Sequence, residues 1–536
     1  MSSAKGTQYT PTLDKGIFWP SLIVFLVMVL PLSIWPESSL VILNDMLGFI
    51  TSKFGWLYLA VGVVIFLLMI WLAFGRFGYV KLGQADDEPE FSKPTWLAML
   101  FCAGIGISIV NWAFVEPIYF LSGPPLNLEK DSPEAVEFAL MYPQFHWGLI
   151  PWSLYIFPAI PVAYAHYVRK EPFIRLSIAR GGAIGSQKRG IVGKGIDIIV
   201  MLAILGGIGT SLGLGVPLVS GLFADLLGVE VNFFLYAVVL AIWTVMFGLS
   251  VWRGLSKGMK VISDINVIIA VIMLIVFLVA GPTLLVVKMW TNSMGLLVDN
   301  FWRISLWTDP IVQSGFSEGW TVFYWGWWFA LLPMMGLFVA RISKGRTIRD
   351  VVLYGVIFGS LGCWVYFAIW GGYAVDLEIN KGAGLTTMLS EQGIPATVLY
   401  ILHSVPFSKL VIILFAILCF FFLATTLDAA AYALAANCTQ DLPPDQDPAR
   451  WNRMLWACML VILAVGLLLV GGLKAVQLSC VIVAVPMLPV VFLLAKSQIK
   501  WLNEDFPHLN PARQSLRPEV LARIDEEAAV QNGGVN

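Results

Sequence analysis

Apolar runs of about 20 residues, each long enough to cross a bilayer, recur along the whole of this chain. That pattern leaves few folds open. A segment in lipid must satisfy its own backbone hydrogen bonds, which only helices and closed barrels do. Twelve helices are expected, centred near Val24, Val64, Gly106, Tyr155, Ile208, Val238, Ile269, Phe329, Phe358, Phe422, Val461 and Val485. Of the 536 residues, 58% are hydrophobic and only 12% charged, against about 25% charged in soluble proteins. The expected fold class is therefore an all-α polytopic membrane protein, with the lipid bilayer as its surroundings. A net charge of −1 speaks against nucleic acid as a partner.

Residues 1–15 are polar, and the first apolar run continues to Trp35 without a small-residue cleavage site, so a retained helix is expected rather than a cleavable signal. The stretch Trp290 to Trp307 is amphipathic and is expected to lie along the membrane surface. The membrane-embedded body is expected over 16–500, with a polar tail over 501–536. Lys53, Lys130, Lys288, Arg303, Lys381, Lys409 and Lys474 fall on one side of the twelve-helix topology, and the other 26 of the 33 basic residues on the other. The positive-inside rule then puts both termini in the cytoplasm, in the plasma membrane of a bacterial cell (its inner membrane).

Cys102, Cys363, Cys419, Cys438, Cys458 and Cys480 lie in or beside apolar spans with no CxxC pair, which suits packing rather than a disulfide framework or a metal site. His146, His166, His403 and His508 are scattered. His146 reads as a satisfied structural histidine before a proton carrier.

The third span contains Ala103-Gly104-Ile105-Gly106-Ile107-Ser108. Two close glycines loosen the hydrogen-bond ladder, at about 1 kcal/mol each relative to alanine. Unwound backbone in a membrane is tolerated only beside protein or a water-filled cavity, and interrupted helices mark transporter sites. Close packing through small residues is the plainer alternative. In the tenth span Asp428 follows Thr425 and Thr426. An intramembrane carboxylate is a functional hypothesis by default, and paired hydroxyls are hard oxygen donors, although threonine also bonds back to its own helix. Ser263 and Asp264, at the opening of the seventh span, suit helix capping first, while Asn266 lies deeper.

Tyr324-Trp325-Gly326-Trp327-Trp328 puts four rings into five residues of one span, and an earlier span adds Trp147, Trp152 and Tyr155. Ring faces attract a cation, by about 2 kcal/mol or more once desolvated. A trimethylammonium group, which has no hydrogen to donate, suits such a box. Core packing remains the alternative, most of all for Trp325.

These residues resemble the betaine/choline/carnitine transporter family from about residue 16 to 500. The resemblance is carried by Gly319–Trp328 (GWTVFYWGWW), Phe338–Thr347 (FVARISKGRT), Gly209–Gly215 (GTSLGLG), the glycine segment ending in Glu116-Pro117, and His146-Trp147-Gly148 with Pro151-Trp152. It implies a leucine-transporter-like fold: two peripheral helices, then five-plus-five inverted repeats over about 94–287 and 316–497. It also implies a homotrimer and a zwitterionic quaternary ammonium or sulfonium substrate. Trp147, Trp152, Tyr155, Trp327 and Trp328 would line the cation box. Met335 matches a methionine that contacts substrate in the carnitine antiporter. The substrate carboxylate would meet backbone amides of the broken helix around Gly104 and Gly106. Two positions depart from relatives: Leu331 stands where a further aromatic is common, and Asn111 where the carnitine/γ-butyrobetaine antiporter has an apolar ring.

The resemblance leaves coupling divided. The eighth-helix and GTSLGLG segments look most like the antiporter, which needs no ion and carries an arginine where this chain has Asn266. A neutral residue there, with both Thr425 and Thr426 present, favours Na⁺ as a coupling ion. Thr425, Thr426 and the backbone carbonyls of Cys102, Ile105 and Phe422 would hold it. Exchange without an ion is the alternative, and proton coupling through Asp428 a third. No cofactor is expected. An enzyme is disfavoured because no Ser/His pair, metal cluster or phosphate clamp is visible. A channel or a transporter-like sensor would be told apart by saturable uptake.

Overall fold

The computed structural model describes residues 11–185, 189–253, 260–440, 442, 446–470 and 480–509. The polar N-terminal residues 1–10 and the tail from 510 onward lie outside the described residues. The chain is a helical bundle. In order, α1 is Lys15–Ile34, α2 Pro36–Phe74, α3 Lys93–Ile105, α4 Ser108–Ser122 and α5 Pro133–Val168. Then come α6 Ile191–Leu227, α7 Phe233–Arg253, α8 Lys260–Ala280, α9 Thr283–Ser305, α10 Ser317–Ile342 and α11 Ile348–Ile379. The last three are α12 Ser408–Asn437, α13 Arg450–Val470 and α14 Met487–Asp505.

Among the described residues, ten helices are long and apolar enough to cross a membrane, or eleven if the bent pair α3 and α4 counts as one span. The segment expected around Val238 is helical as α7, whose 21 residues run from Phe233 to Arg253; it is not among those ten. The expected amphipathic stretch is α9. It buries Val286, Leu297 and Ile304 on one side and exposes Val298 and Trp302 on the other. The most apolar stretch of α10 is wholly buried against 28% for α1, so α10 is central and α1 lies at the rim.

Ser263 and Asp264 lie inside α8 rather than capping it, since the helix already includes Lys260. Proline and glycine shape the elements around the centre. α5 breaks at Trp147-Gly148, because Pro151, four residues on, has no N–H for the Trp147 carbonyl and its ring crowds that carbonyl. α10 opens with a π-helical turn at Ser317–Val322, and π segments often sit at functional sites.

Two two-residue strands, Thr12–Leu13 and Thr439–Gln440, pair antiparallel and pin the N-terminal segment to the end of α12. Asp14 caps α1 through Gly16 N and pairs with Arg175 Nη1 at 2.9 Å, while Arg175 Nη2 donates to Thr439 O at 2.9 Å. Burial pushes the Asp14 carboxyl up, but Arg175 and Lys194 outweigh it, and the net shift is below the usual carboxylate range. Asp14→Asn leaves a buried guanidinium short of its main partner. It is expected to cost about 3 kcal/mol, at the low end for a broken buried pair, since Asp197 remains 3.9 Å from Arg175. A carboxylate with a lowered value stabilises above its unfolded pKa, and that gain is lost as pH falls through the folded value. Melting curves of wild type and variant should therefore separate at neutral pH and converge in acid.

Candidate functional site: a broken helix between an aromatic box and an oxygen cluster

α3 ends at Ile105, Gly106 adopts φ 54° and ψ −150°, and α4 starts at Ser108, bending the pair by 60°. This backbone conformation is close to glycine-only. A Cβ on Gly106 would lie 2.2 Å from Thr426 Oγ1 and 3.2 Å from its Cβ. Two independent constraints thus demand glycine. Gly106→Ala is expected to reduce uptake at least about tenfold, from a strain of 1–3 kcal/mol plus the clash. Gly195→Ala, in α6 with nothing within 4 Å, should leave transport unchanged; uptake normalised to protein in the membrane checks both.

On one side of the break lie oxygens. Thr425 Oγ1 donates to Phe422 O at 2.8 Å and reaches Cys102 O at 3.2 Å. Thr426 Oγ1 lies 3.1 Å from Phe422 O and 3.4 Å from Cys102 O. All four residues are buried. Two hydroxyl protons face two carbonyls, so lone pairs remain on every oxygen, and the set is of the hard kind that suits Na⁺. The threonines bond Cys102 and Phe422 rather than Ile105, which is itself buried as the last residue of α3. Behind the cluster, Asn266 Nδ2 lies 3.8 Å from Cys102 Sγ, and Cys102 Sγ lies 3.9 Å from Ser263 O. Asn266 is fully buried, and its Oδ1 has no hydrogen-bond partner among the described residues. Asp428 is also buried, two residues further along α12.

On the other side lie rings. A Cβ on Gly104 would meet Met335 Cε at 3.0 Å, Trp152 Cη2 at 3.3 Å and Tyr155 Cδ2 at 3.3 Å. Tyr155 and Trp328 have centroids 4.3 Å apart, Trp152 and Tyr155 6.0 Å, Trp152 and Trp328 6.4 Å, and Trp147 and Trp328 5.4 Å. Trp147, Trp152, Tyr155 and Trp328 are all within 3% of complete burial, which gives a cation over their faces its full desolvated value. Phe101 stacks on the back of Trp152 at 6.0 Å.

The rings of α10 do not act alike. Successive residues on a helix point about 100° apart. Trp328 faces Trp152 and Tyr155, while Trp327 turns toward α6 and donates its indole N–H to Gly207 O at 3.2 Å. Trp327 meets the box only through Trp147, at 5.9 Å. Trp325 packs on Phe145 and against Gly62 of α2. Leu331 lies against Gly207. Asn111 is buried one turn past the break, with Nδ2 3.5 Å from Ile107 O and Oδ1 unpartnered among the described residues.

Glu116 was named in the sequence only as part of a motif, yet it is fully enclosed and holds the site together. Its Oε1 meets His146 Nδ1 at 2.8 Å. Its Oε2 accepts from Trp147 Nε1 at 2.9 Å and Tyr324 OH at 2.7 Å. His146 Nε2 lies 3.1 Å from Thr321 Oγ1, so both ring nitrogens are satisfied. The missed signal was an acid inside an apolar span, a rule applied above to Asp428.

A membrane-spanning bundle whose interrupted helix lies between an aromatic ring cluster and a cluster of hard oxygens has the architecture of a secondary transporter. The chain belongs to the betaine/carnitine/choline family of transporters, whose model matches residues 16–507; it is a transporter and not an enzyme. It is 31% identical over 494 residues to a carnitine transporter of Acinetobacter baumannii, covering 92% of this chain and 90% of that one. It is 33% identical over 509 residues to the glycine betaine transporter OpuD of Bacillus subtilis, covering 94% and 97%. It is also 33% identical over 449 residues to the uncharacterized transporter YeaV of Escherichia coli, covering 83% and 92%.

Proposed function

We propose that this protein imports a zwitterionic quaternary ammonium compound, such as glycine betaine or carnitine, or a sulfonium analogue, by Na⁺ symport with alternating access. The observation that carries coupling is the convergence of the Thr425 and Thr426 hydroxyls on the Cys102 and Phe422 carbonyls beside Gly106. An ion there ties α12 to α3, the cytoplasmic half of the broken helix, next to the box. The cationic head sits among Trp147, Trp152, Tyr155 and Trp328 with Met335 at its edge, and the carboxylate meets the amides freed at the break. Na⁺ is cargo in this scheme.

The same reading takes twelve spans, with α7 and the α3/α4 pair each crossing once, as two peripheral helices and two inverted repeats of about 94–287 and 316–497. The unequal distribution of lysine and arginine supports both termini facing the cytoplasm of a bacterial inner membrane. Assembly as a homotrimer follows the family resemblance. Ion-independent exchange is the second reading, favoured by the likeness of the GTSLGLG and eighth-helix segments to the antiporter.

The test is uptake into proteoliposomes of radiolabelled glycine betaine, carnitine, γ-butyrobetaine, choline and dimethylsulfoniopropionate, each in Na⁺ and in K⁺ buffer. Saturable uptake of one zwitterion that collapses in K⁺ is the expected result. Uptake equal in both salts but dependent on internal substrate selects exchange, and uptake of none of the five rejects the substrate class.

A further inference from the structure

The aromatic box is built on a carboxylate. Glu116 is fully buried on α4, two turns past the break. Its hydrogen-bond partners come from α5 and α10, and Trp147 Nε1 can only donate. His146 donates most simply from Nδ1, leaving Nε2 to accept from Thr321. Three donors converging on two oxygens fit the ionised carboxylate; the acid form would need His146 Nδ1 to turn acceptor and Nε2 to donate to Thr321. Among the described residues no lysine or arginine pairs with Glu116, and its one titratable cationic partner is His146 at 2.8 Å, so no fixed positive charge of the protein offsets it.

We infer that Glu116 is the electrostatic positioning residue of the box, and that the cationic head of the substrate is its countercharge. The inference rests on the proposed substrate class. Two effects work together. First, Glu116 fixes the indole of Trp147, whose ring contacts Trp328 at 5.4 Å and Tyr324 at 5.7 Å. Second, an N–H donated to an anion leaves the indole more electron-rich, which strengthens the attraction of its face for a cation. A charge enclosed by rings is poorly screened, so its influence reaches past the ring in between. Shape alone would not tell a trimethylammonium group from a tert-butyl group of nearly equal size. The ring faces do, and a buried anion behind them adds to the difference.

That distinction is the experiment. Binding is followed by tryptophan fluorescence with two probes, glycine betaine and 3,3-dimethylbutanoate, its uncharged-head isostere. Wild type should prefer the betaine by on the order of tenfold or more. Glu116→Gln keeps size and one acceptor but removes the charge, so it should weaken betaine binding more than isostere binding and reduce the preference to what the ring faces alone give. Tyr324→Phe removes one donor, leaves the carboxylate in place, and should reduce the preference by a smaller factor. Should Glu116→Gln not fold, Tyr324→Phe decides alone: an unchanged preference overturns the inference. Equal loss of both probes in Glu116→Gln would reduce Glu116 to a structural role and overturn it as well. A wild-type protein that binds neither probe nor any trimethylammonium zwitterion would reject the substrate class, and the inference with it.

Discussion

Trp328→Ala is expected to weaken binding of a trimethylammonium zwitterion by about 2 kcal/mol, roughly 30-fold. Trp327→Ala should cost only a few-fold. The two tryptophans are adjacent and equally aromatic, and composition gives no reason to separate them. Their directions do. Trp328 closes the box against Tyr155 at 4.3 Å, whereas Trp327 spends its N–H on Gly207 O. Loss of Trp327 removes a packing partner of Trp147 and leaves a carbonyl of α6 short of a donor, so its cost falls on stability before affinity. Trp328→Phe keeps a ring face and should recover part of the affinity. Isothermal titration with glycine betaine or carnitine, alongside melting curves of the same variants, separates the two effects. Equal affinity losses in both alanine variants would mean that the box extends to the α6 side of α10.

The helical class and the broken third span were legible in the sequence because a membrane makes deviations costly. Two glycines in one span, or a threonine pair beside a buried aspartate, stand out where almost everything else is leucine-like. Gly106 and Thr426, both picked out in that way, lie against one another. The division of labour between Trp327 and Trp328 was not legible. A helix buried on all sides has no apolar stripe to set its phase, and α10 is such a helix. Glu116 was hidden differently. Its partners are 30 residues away at His146 and 208 away at Tyr324, so no local pattern announces the network. The internal positions of Ser263 and Asp264 in α8 reflect the familiar weakness of boundaries, since a run of valines and isoleucines states where a helix is but not where it stops.

Coupling gives the second large effect. Thr425→Val with Thr426→Val keeps the shape that meets Gly106 and removes both hydroxyls. A hydrogen bond to a charged group is worth about 1.5–3 kcal/mol, so the Na⁺ concentration for half-maximal uptake should rise about tenfold for each hydroxyl lost. Linkage requires ion and substrate to help one another equally. The affinity for substrate at fixed Na⁺ should therefore fall in the double variant, while affinity in Na⁺-free buffer stays at the wild-type value. Asn266→Arg should act in the opposite sense. Asn266 touches the thiol of Cys102, whose carbonyl receives both threonines, so a guanidinium from that position brings a fixed positive charge to the oxygen cluster. Substrate binding should then become insensitive to Na⁺. The measurement that decides is wild-type substrate affinity in proteoliposomes with Na⁺ replaced by K⁺ at constant ionic strength. A large loss in K⁺ is expected. Equal affinity and equal uptake in the two salts would remove Na⁺ from the mechanism, and would leave Thr425 and Thr426 as the hydrogen bonds that hold α12 against the broken helix during exchange.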